Sequence, residues 1–247
     1  MGTQLKSHSN LSNVERLDTE VAEIRARYDR RPSNDRQHNS LLHAYRYMPN
    51  LEKQRALLRL LGKRYGSDLS QLDFLEVGCG HGNNLRLMIH WGLDPSRIIG
   101  NELLPERLEH TSRRVPSEVR LHAGDALKMD VAPESIDIVM ASTVFSSILD
   151  ADFRRALARQ MWSWVRPGGG VLWYDFTVNN PKNPDVRKVT ARELSRLFPD
   201  ATNEASRITL APPLARLVCR LHPSLYSGLN LFPFLRTHLI AWLGKPH

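Results

Sequence analysis

Apolar positions follow a helical spacing in the first part of this chain. The spacing predicts an amphipathic helix from Val14 to Tyr28. A turn is expected at Pro32–Asp35, and a second helical stretch is expected to begin at Asn39. Asn50 is then placed to cap a helix over Leu51–Tyr65, whose leucines share one face. The sequence up to about residue 70 is therefore expected to be helical.

From residue 73 the pattern changes to short apolar runs that alternate with helical segments. Such alternation is typical of parallel strands joined by helices that cover both faces of a sheet. We therefore predict an α/β fold, doubly wound and Rossmann-like, with a seven-stranded, mostly parallel sheet. The predicted strands are Phe74–Val77, Arg97–Asn101, Val119–His122, Ser135–Ala141, Gly170–Phe176, Ile208–Leu210 and Thr237–Leu243.

An apolar and basic insertion, about residues 212–236, separates the last two predicted strands. It is expected to form one or two short helices. Three interpretations stay open for it: a cover for the core, a lid over a binding site, and a surface that contacts a membrane.

Charge and cysteine content limit the cellular context. Lys and Arg number 34 against 26 Asp and Glu, which gives a net charge of +8. This charge suits nucleic acid, an anionic membrane or a phosphorylated ligand, and equally an ordinary basic protein. Cys79 and Cys219 have no CxxC spacing, and Met1–Asn10 has no apolar signal core, so we predict a cytoplasmic protein. No Asp/His cluster suggests a metal site.

The strongest motif is Gly78-Cys79-Gly80-His81-Gly82, which follows a predicted strand and precedes a predicted helix. Glycines let the backbone approach a ligand where a Cβ would collide. Dinucleotide-binding proteins place a similar loop around a pyrophosphate. Here Glu76 comes directly before the loop, and its carboxylate would repel phosphates but attract an ammonium group. This favours the methionine end of S-adenosyl-L-methionine over a dinucleotide.

Two further acidic residues follow predicted strands. Glu102 lies 20 residues after Gly82, where an acid can accept both ribose hydroxyls. Asp125, in Gly124-Asp125-Ala126, can accept from an adenine amino group while the Ala126 backbone meets the ring. The alternatives are a surface glutamate and a turn-forming aspartate.

The order of these motifs, together with Asp137–Val139 and Arg166–Gly169, resembles that of class I S-adenosylmethionine-dependent methyltransferases. The resemblance covers about residues 73–176 and departs from the family at Asn101, where an apolar residue is common. It implies that the glycine loop holds the methionine end and that Ser142 lines the methyl donor region. It also suggests two domains, an N-terminal helical cap (1–70) and an S-adenosylmethionine-binding domain (71–247). The full predicted cofactor set is Glu76, Gly78, Cys79, Gly80, Gly82, Asn83, Glu102, Leu103, Asp125, Ala126 and Ser142.

A hydroxyl acceptor would also need a group that removes its proton. Asp175, at the end of the fifth predicted strand, and His222, inside the insertion, are the predicted catalytic residues. A loop-fixing role for Asp175 and a plain surface position for His222 are the alternatives.

The acceptor is the least defined part of the prediction. The segments Tyr174–Val189 and Thr209–Pro213 are loosely similar to bacterial methyltransferases of polysaccharide and surface-glycan biosynthesis. This similarity implies O-methylation of a sugar hydroxyl on a glycan or glycolipid, with peripheral contact at the inner membrane face. The rivals are O-, N- or C-methylation of a small secondary metabolite, and a binding module without activity.

A nucleic-acid acceptor is disfavoured by the sequence after the fourth predicted strand. That sequence is Ser142-Thr143-Val144-Phe145, whereas amino-directed DNA methylases carry an Asn/Asp-Pro-Pro-aromatic tetrad there. We therefore predict no nucleic-acid partner. The oligomeric state is left open.

Overall fold

The structure is a computed structural model that describes residues 13–30, 40–180 and 183–247. The predicted turn at Pro32–Asp35 and the predicted helical start at Asn39 lie outside the described residues.

Seven strands form one sheet in the order β3-β2-β1-β4-β5-β7-β6. Strands β1 to β5 run parallel, whereas β7 runs antiparallel to both of its neighbours. The predicted α/β class and the mostly parallel seven-stranded sheet are therefore confirmed. The strands are β1 (Phe74–Val77), β2 (Ile98–Glu102), β3 (Arg120–Ala123), β4 (Ile136–Ser142), β5 (Val165–Phe176), β6 (Thr202–Leu210) and β7 (Arg236–Gly244).

The α-helices of the described residues are α1 (Asn13–Asp29), α2 (Ala44–Tyr65), α3 (Asn83–His90), α4 (Pro105–Ser112), α5 (Ala151–Trp164), α6 (Ala191–Leu197), α7 (Pro212–Leu221) and α8 (Ser224–Leu229). The predicted helix start at Leu51 is wrong, because α2 begins at Ala44 and continues through Pro49. Asn50 does not cap a helix. Its side-chain amide donates to the Arg46 carbonyl at 2.8 Å, one turn back inside α2.

Two apolar layers cover the two faces of the sheet. Helix α5 packs on one face, where Leu157 and Trp164 lie with Trp173 of β5. On the other face Leu57 and Leu61 of α2 share a core with Phe74 of β1. The C-terminal half of α2 is thus a layer of the sheet domain, and the proposed domain boundary near residue 70 stays a prediction.

The strand order creates a crevice at the carboxyl ends of β1 and β4. The chain leaves β1 towards β2 and β3 and returns on the other side as β4, so the flanking connections diverge there. In open α/β sheets this switch point is where ligands bind.

The predicted insertion forms α7, α8 and a 3₁₀ turn at Pro233–Leu235, as expected. A small core that includes Leu210, Ala215 and Tyr226 holds it together. Strand β6 is longer than predicted because Thr202–Arg207 is an exposed edge without an apolar pattern. Within the described ranges no helix is both long and apolar enough to span a membrane.

Candidate functional site

The glycine loop lies at the switch point and turns sharply between β1 and α3. Gly78, Gly80 and Gly82 have φ values of 65°, 58° and 73°, which side chains rarely tolerate. A Cβ on Gly78 would lie 2.7 Å from Val144 Cγ2. The Cys79 amide donates to the Asn101 carbonyl at 2.8 Å and ties the loop to β2. Glycine is therefore needed here for both backbone shape and close packing.

Glu76 presents a buried carboxylate beside this loop. Its Oε1 accepts from Asn84 Nδ2 at 2.5 Å, while Oε2 has no hydrogen-bond partner among the described residues. Burial raises the pKa of Glu76 to about 7, against the lowering effects of the Asn84 hydrogen bond and the Lys53 charge. A buried carboxylate oxygen without a partner is costly, and a ligand ammonium group would satisfy it. The site thus fits the amino acid end of S-adenosylmethionine.

Glu102 and Asp125 lie at the ends of the neighbouring strands, where the sequence predicted ribose and adenine contacts. Glu102 Oε2 accepts from the Gly80 amide at 2.8 Å, and its Oε1 accepts from the Leu104 amide at 3.0 Å. Asp125 Oδ1 accepts from the Leu127 amide at 2.9 Å. Each carboxylate therefore shapes its own loop. Carboxylate oxygens can accept more than one hydrogen bond, so capacity for a ligand remains.

These residues line one cavity of about 320 Å³, the cofactor cavity. Of the predicted cofactor set only Gly82 does not line it. Gly82 instead precedes α3, where a Cβ would lie 2.7 Å from Thr111 Cγ2. The sequence analysis missed one wall of the cavity, which α1 supplies through Val21, Ile24 and Tyr28. Their helical spacing was visible, but nothing in it indicated which face a ligand would meet.

A second cavity of about 290 Å³, the acceptor cavity, lies between α2 and the ends of β5 and β7. The two cavities share four lining residues, Asn50, Lys53, Ser142 and Thr143. Ser142 was predicted to line the methyl donor region, and it lies at this junction. The junction is where a group held in one cavity can react with a group held in the other.

Lys53 is the charged group at the junction, and the sequence analysis did not single it out. Its Nζ donates to Ser142 Oγ and to Asn84 Oδ1, each at 3.0 Å, and lies 4.7 Å from the centre of the Tyr174 ring. Removal from water lowers the pKa of Lys53 to about 8, although Glu76 acts in the opposite direction. Its spacing in the sequence could have indicated this position, because Lys53 precedes the buried Leu57 and Leu61 by one and two helical turns and therefore lies on the same face of the helix.

Two threonines beside the acceptor cavity have a backbone conformation that is rare for β-branched residues. Thr143 and Thr209 have φ values of 58° and 68°. The Thr143 amide donates to the Tyr174 carbonyl at 2.7 Å, and the Thr209 amide donates to Glu52 Oε2 at 3.0 Å. Strained residues of this kind cluster at functional sites. Their position supports a functional role for this cavity.

His238 of β7 also lines the acceptor cavity. Its ring stacks on Tyr174, with centres 4.9 Å apart, and contacts Phe176 at 4.2 Å. Burial lowers the pKa of His238 to about 3, and the Lys53 charge acts in the same direction. A histidine with so low a pKa is a poor proton acceptor. It forms an aromatic wall of the cavity.

Neither predicted catalytic residue lines the cofactor cavity or the acceptor cavity. Asp175 is buried on the α5 side of β5, where Oδ2 accepts from the Ser146 amide at 3.0 Å and Oδ1 accepts from the Phe176 amide at 2.8 Å. Strand alternation points it away from Tyr174. His222 is exposed at the end of α7, and its Nδ1 accepts from the Ser224 amide at 3.2 Å. In the structure both side chains make local hydrogen bonds, and their catalytic role stays a prediction.

In the part of the chain that the structure describes, no group of three or more His, Cys, Asp or Glu could hold a metal ion.

Comparison with known proteins gives a family match over the central part of the chain. The family model described as "Methyltransferase domain" matches residues 74–169, which run from β1 into β5. A search of curated proteins finds no significant match. The matched range contains every predicted cofactor residue.

Solved structures share the fold at low sequence identity. A SAM-dependent methyltransferase from Archaeoglobus fulgidus has a TM-score of 0.55 and 17% identity, over 81% of this chain and 99% of that one. The N-methyltransferase NodS from Bradyrhizobium japonicum has a TM-score of 0.58 and 18% identity, over 80% and 97% of the chains.

A third structure, the phosphoethanolamine N-methyltransferase 2 of Haemonchus contortus in complex with S-adenosyl-L-methionine, has a TM-score of 0.57 and 16% identity. Its match covers 78% of this chain and 53% of that one. Likeness at these identities establishes the fold alone.

Proposed function

We propose that this chain is an S-adenosylmethionine-dependent methyltransferase and that it methylates a hydroxyl group of a small polar acceptor. Our specific candidate is a sugar hydroxyl of a bacterial glycan or glycolipid intermediate. The observation that carries the proposal is the position of Lys53, which lines both the cofactor cavity and the acceptor cavity. An acceptor hydroxyl that reaches the cofactor cavity from the acceptor cavity meets this amine.

The residues of the cofactor cavity hold the methyl donor. Glu76 receives its ammonium group, Glu102 its ribose hydroxyls and Asp125 its adenine amino group. When bound, S-adenosylmethionine supplies an electrophilic methyl group on a sulfonium and leaves as the neutral thioether. The chain's own task is to position an acceptor oxygen and to remove its proton, and correct positioning alone is worth several orders of magnitude in rate.

Lys53 Nζ would accept the proton that the acceptor hydroxyl loses during methyl transfer. Lys53 is suited to this task because its pKa is lowered towards neutrality, which leaves a useful fraction as free amine. Its hydrogen bonds to Ser142 and Asn84 fix the amine at the junction. His238, which also lines the acceptor cavity, has a pKa too low for a base at neutral pH.

The lining of the acceptor cavity supports a polar, anionic acceptor. Arg46 of α2 and Arg216 of α7 lie on its wall together with Asn50 and Thr209. Guanidinium groups pair with phosphate or carboxylate, and amide and hydroxyl groups suit sugar hydroxyls. A sugar that carries a phosphate, as in a nucleotide sugar or a lipid-linked glycan, satisfies both requirements.

Methyl transfer to a panel of acceptors tests the proposal. Purified protein is incubated with S-adenosylmethionine that carries a labelled methyl group and with nucleotide sugars, sugar phosphates, amines and phenolic metabolites. We expect label on a sugar oxygen, located in the product by NMR. Label on nitrogen or carbon would overturn the hydroxyl assignment. Absence of turnover across the panel, with cofactor binding intact, would favour a binding module.

The Lys53→Arg variant tests the proton step. Arginine keeps the positive charge but cannot lose a proton, whereas Lys63→Arg alters an exposed lysine of the same helix and serves as the control. We expect wild-type kcat/KM to rise with pH and to level off above about 8. The Lys53→Arg rate should fall by about 10²–10⁴-fold and lose this rise, while cofactor affinity is kept. A near wild-type rate would mean that Lys53 only binds a charged group.

A further inference from the structure

The segment of α7, α8 and the following 3₁₀ turn exposes a large apolar surface. Of the eleven large apolar side chains exposed among the described residues, six lie between residues 217 and 234. Leu221, Leu231 and Phe234 are each about three-quarters exposed (75–76%). Soluble proteins rarely concentrate such residues in one patch unless the patch binds something. The six are Leu217, Leu221, Leu225, Leu231, Phe232 and Phe234.

This exposure does not come from a loosely attached segment. The inward face of α7 packs through Ala215 and Val218, and Tyr226 of α8 is buried beneath them. Leu217 and Leu221 lie one turn apart on the outward side of α7. The helix therefore has one apolar face for its own core and a second that faces solvent.

The part of the chain that carries the apolar patch has basic but no acidic residues. After Glu204 the chain contains no Asp or Glu, but it contains five basic residues up to its last described position. Two of them, Arg216 and Arg220, lie one turn apart and exposed on α7, next to the outward leucines. Apolar side chains bordered by arginine are typical of helices that lie in the interface of an anionic membrane.

We infer that residues 212–236 form a docking surface for an anionic lipid membrane. The apolar side chains enter the boundary between headgroups and acyl chains, and the arginines pair with lipid phosphates. A second copy of this chain is a poorer occupant, because a symmetric contact would bring the arginines of two copies together, and residues 205–247 contain no Asp or Glu to pair them.

Docking in this orientation also has a consequence for the acceptor, which depends on the proposed function. Pro212 and Arg216 of α7 line the acceptor cavity as well as bordering the apolar patch. The mouth of the cavity would then face the lipid headgroups. A lipid-linked acceptor could enter without leaving the membrane.

Vesicle binding tests the inference without any assay of activity. Full-length protein is sedimented with vesicles of phosphatidylcholine alone and with vesicles that also contain phosphatidylglycerol. We expect binding to the anionic vesicles, weakened by added salt, and little binding to phosphatidylcholine. The double variant Leu221→Ser/Phe234→Ser should bind at least about tenfold more weakly, because it removes the apolar groups that enter the bilayer.

Matched variants separate the causes. Leu58→Ser alters a leucine that is 45% exposed on α2 and should bind like wild type. Arg220→Gln should weaken binding to anionic vesicles only. Equal binding by wild type and the double variant would overturn the inference. So would a dimer, seen by light scattering, that the double variant abolishes, because the patch would then serve self-association. Methyl transfer to soluble acceptors bears on the proposed function alone.

Discussion

Glu52 is the residue through which the acceptor side of the molecule is fixed to α2. Its Oε2 accepts from the Thr209 amide at 3.0 Å and from the Tyr226 hydroxyl at 2.6 Å, and its Oε1 accepts from Asn230 Nδ2 at 2.6 Å. One carboxylate thereby links α2 to the end of β6, to Tyr226 within α8 and to Asn230 directly after α8. We predict that Glu52→Ala destabilises the protein and loosens the acceptor cavity.

The magnitude follows from the donors that lose their partner. The Tyr226 side chain is 2% exposed, and Thr209 is buried, so neither donor can turn to water without a rearrangement. Each buried donor left unsatisfied costs about 1–3 kcal/mol. Asn230 is only partly buried and can find water. For the two buried donors together we therefore expect a loss of about 2–6 kcal/mol in the free energy of unfolding. For a chain of this size that lowers Tm by roughly 4–24 °C.

Urea denaturation followed by circular dichroism measures the effect, with an unchanged m-value as the sign that only stability has changed. Glu52→Gln should recover most of the loss, because its amide oxygen can still accept and its NH₂ can donate to Asn230 Oδ1, which has no partner among the described residues. Glu204→Ala removes an exposed partner of Lys63 and Arg64 and should cost at most about 1 kcal/mol. If Glu52→Ala is no more harmful than Glu204→Ala, the assigned role of Glu52 is wrong.

Two further predictions concern buried carboxylates. Since burial raises the pKa of Glu76 to about 7 and the ligand ammonium needs the ionised form, calorimetry should show affinity for S-adenosylhomocysteine falling by up to about tenfold per pH unit below 7. Glu76→Gln should bind weakly at every pH, whereas the exposed control Glu109→Gln should behave as wild type; an unchanged Glu76→Gln affinity would remove Glu76 from the site. Burial also raises the pKa of Asp175 to about 6, so the native state holds this proton more tightly than the unfolded chain, and the wild-type free energy of unfolding should fall by about 2 kcal/mol as the pH rises from 4 to 6. The Asp175→Asn variant should not show this fall. Because Asp175 lines neither the cofactor cavity nor the acceptor cavity, the turnover of the Asp175→Asn variant should differ from that of the wild type by less than about tenfold. Abolished turnover in a folded Asp175→Asn variant would support the predicted catalytic role of Asp175.

Most of the cofactor cavity was predictable from the sequence, because the residues that form it lie next to the ends of predicted strands. A sharp turn at a strand end needs glycine at fixed spacings, and Gly78 and Gly80 have the positive φ that this requirement implies. The acids Glu76, Glu102 and Asp125 each lie next to a strand end, where strand order alone brings them into one crevice. The parallel strands were visible for the same reason, since buried strands are continuous apolar runs.

The acceptor cavity was not predictable from the sequence, because its lining residues are far apart in the chain and meet only in the tertiary structure. Lys53 and Ser142 are far apart in the chain, and their hydrogen bond depends on how α2 crosses the end of β4. Asp175 was a reasonable candidate by position, but a strand alternates its side chains and the register decides which face each takes. Asn50 was predicted to cap a helix that begins at Leu51, yet α2 begins at Ala44 and continues through Pro49.

This difference between the cofactor cavity and the acceptor cavity also indicates where specificity for the acceptor should lie. The family match ends at residue 169, and the acceptor cavity takes only Ser142 and Thr143 from the matched range. We therefore expect the matched range to govern cofactor binding. The acceptor cavity is instead surrounded by α2, the ends of β5 and β7, and α7. The same elements carry the Glu52 contacts and part of the exposed apolar patch, so under the proposed function we expect the choice of acceptor and its presentation to depend on residues outside the matched range.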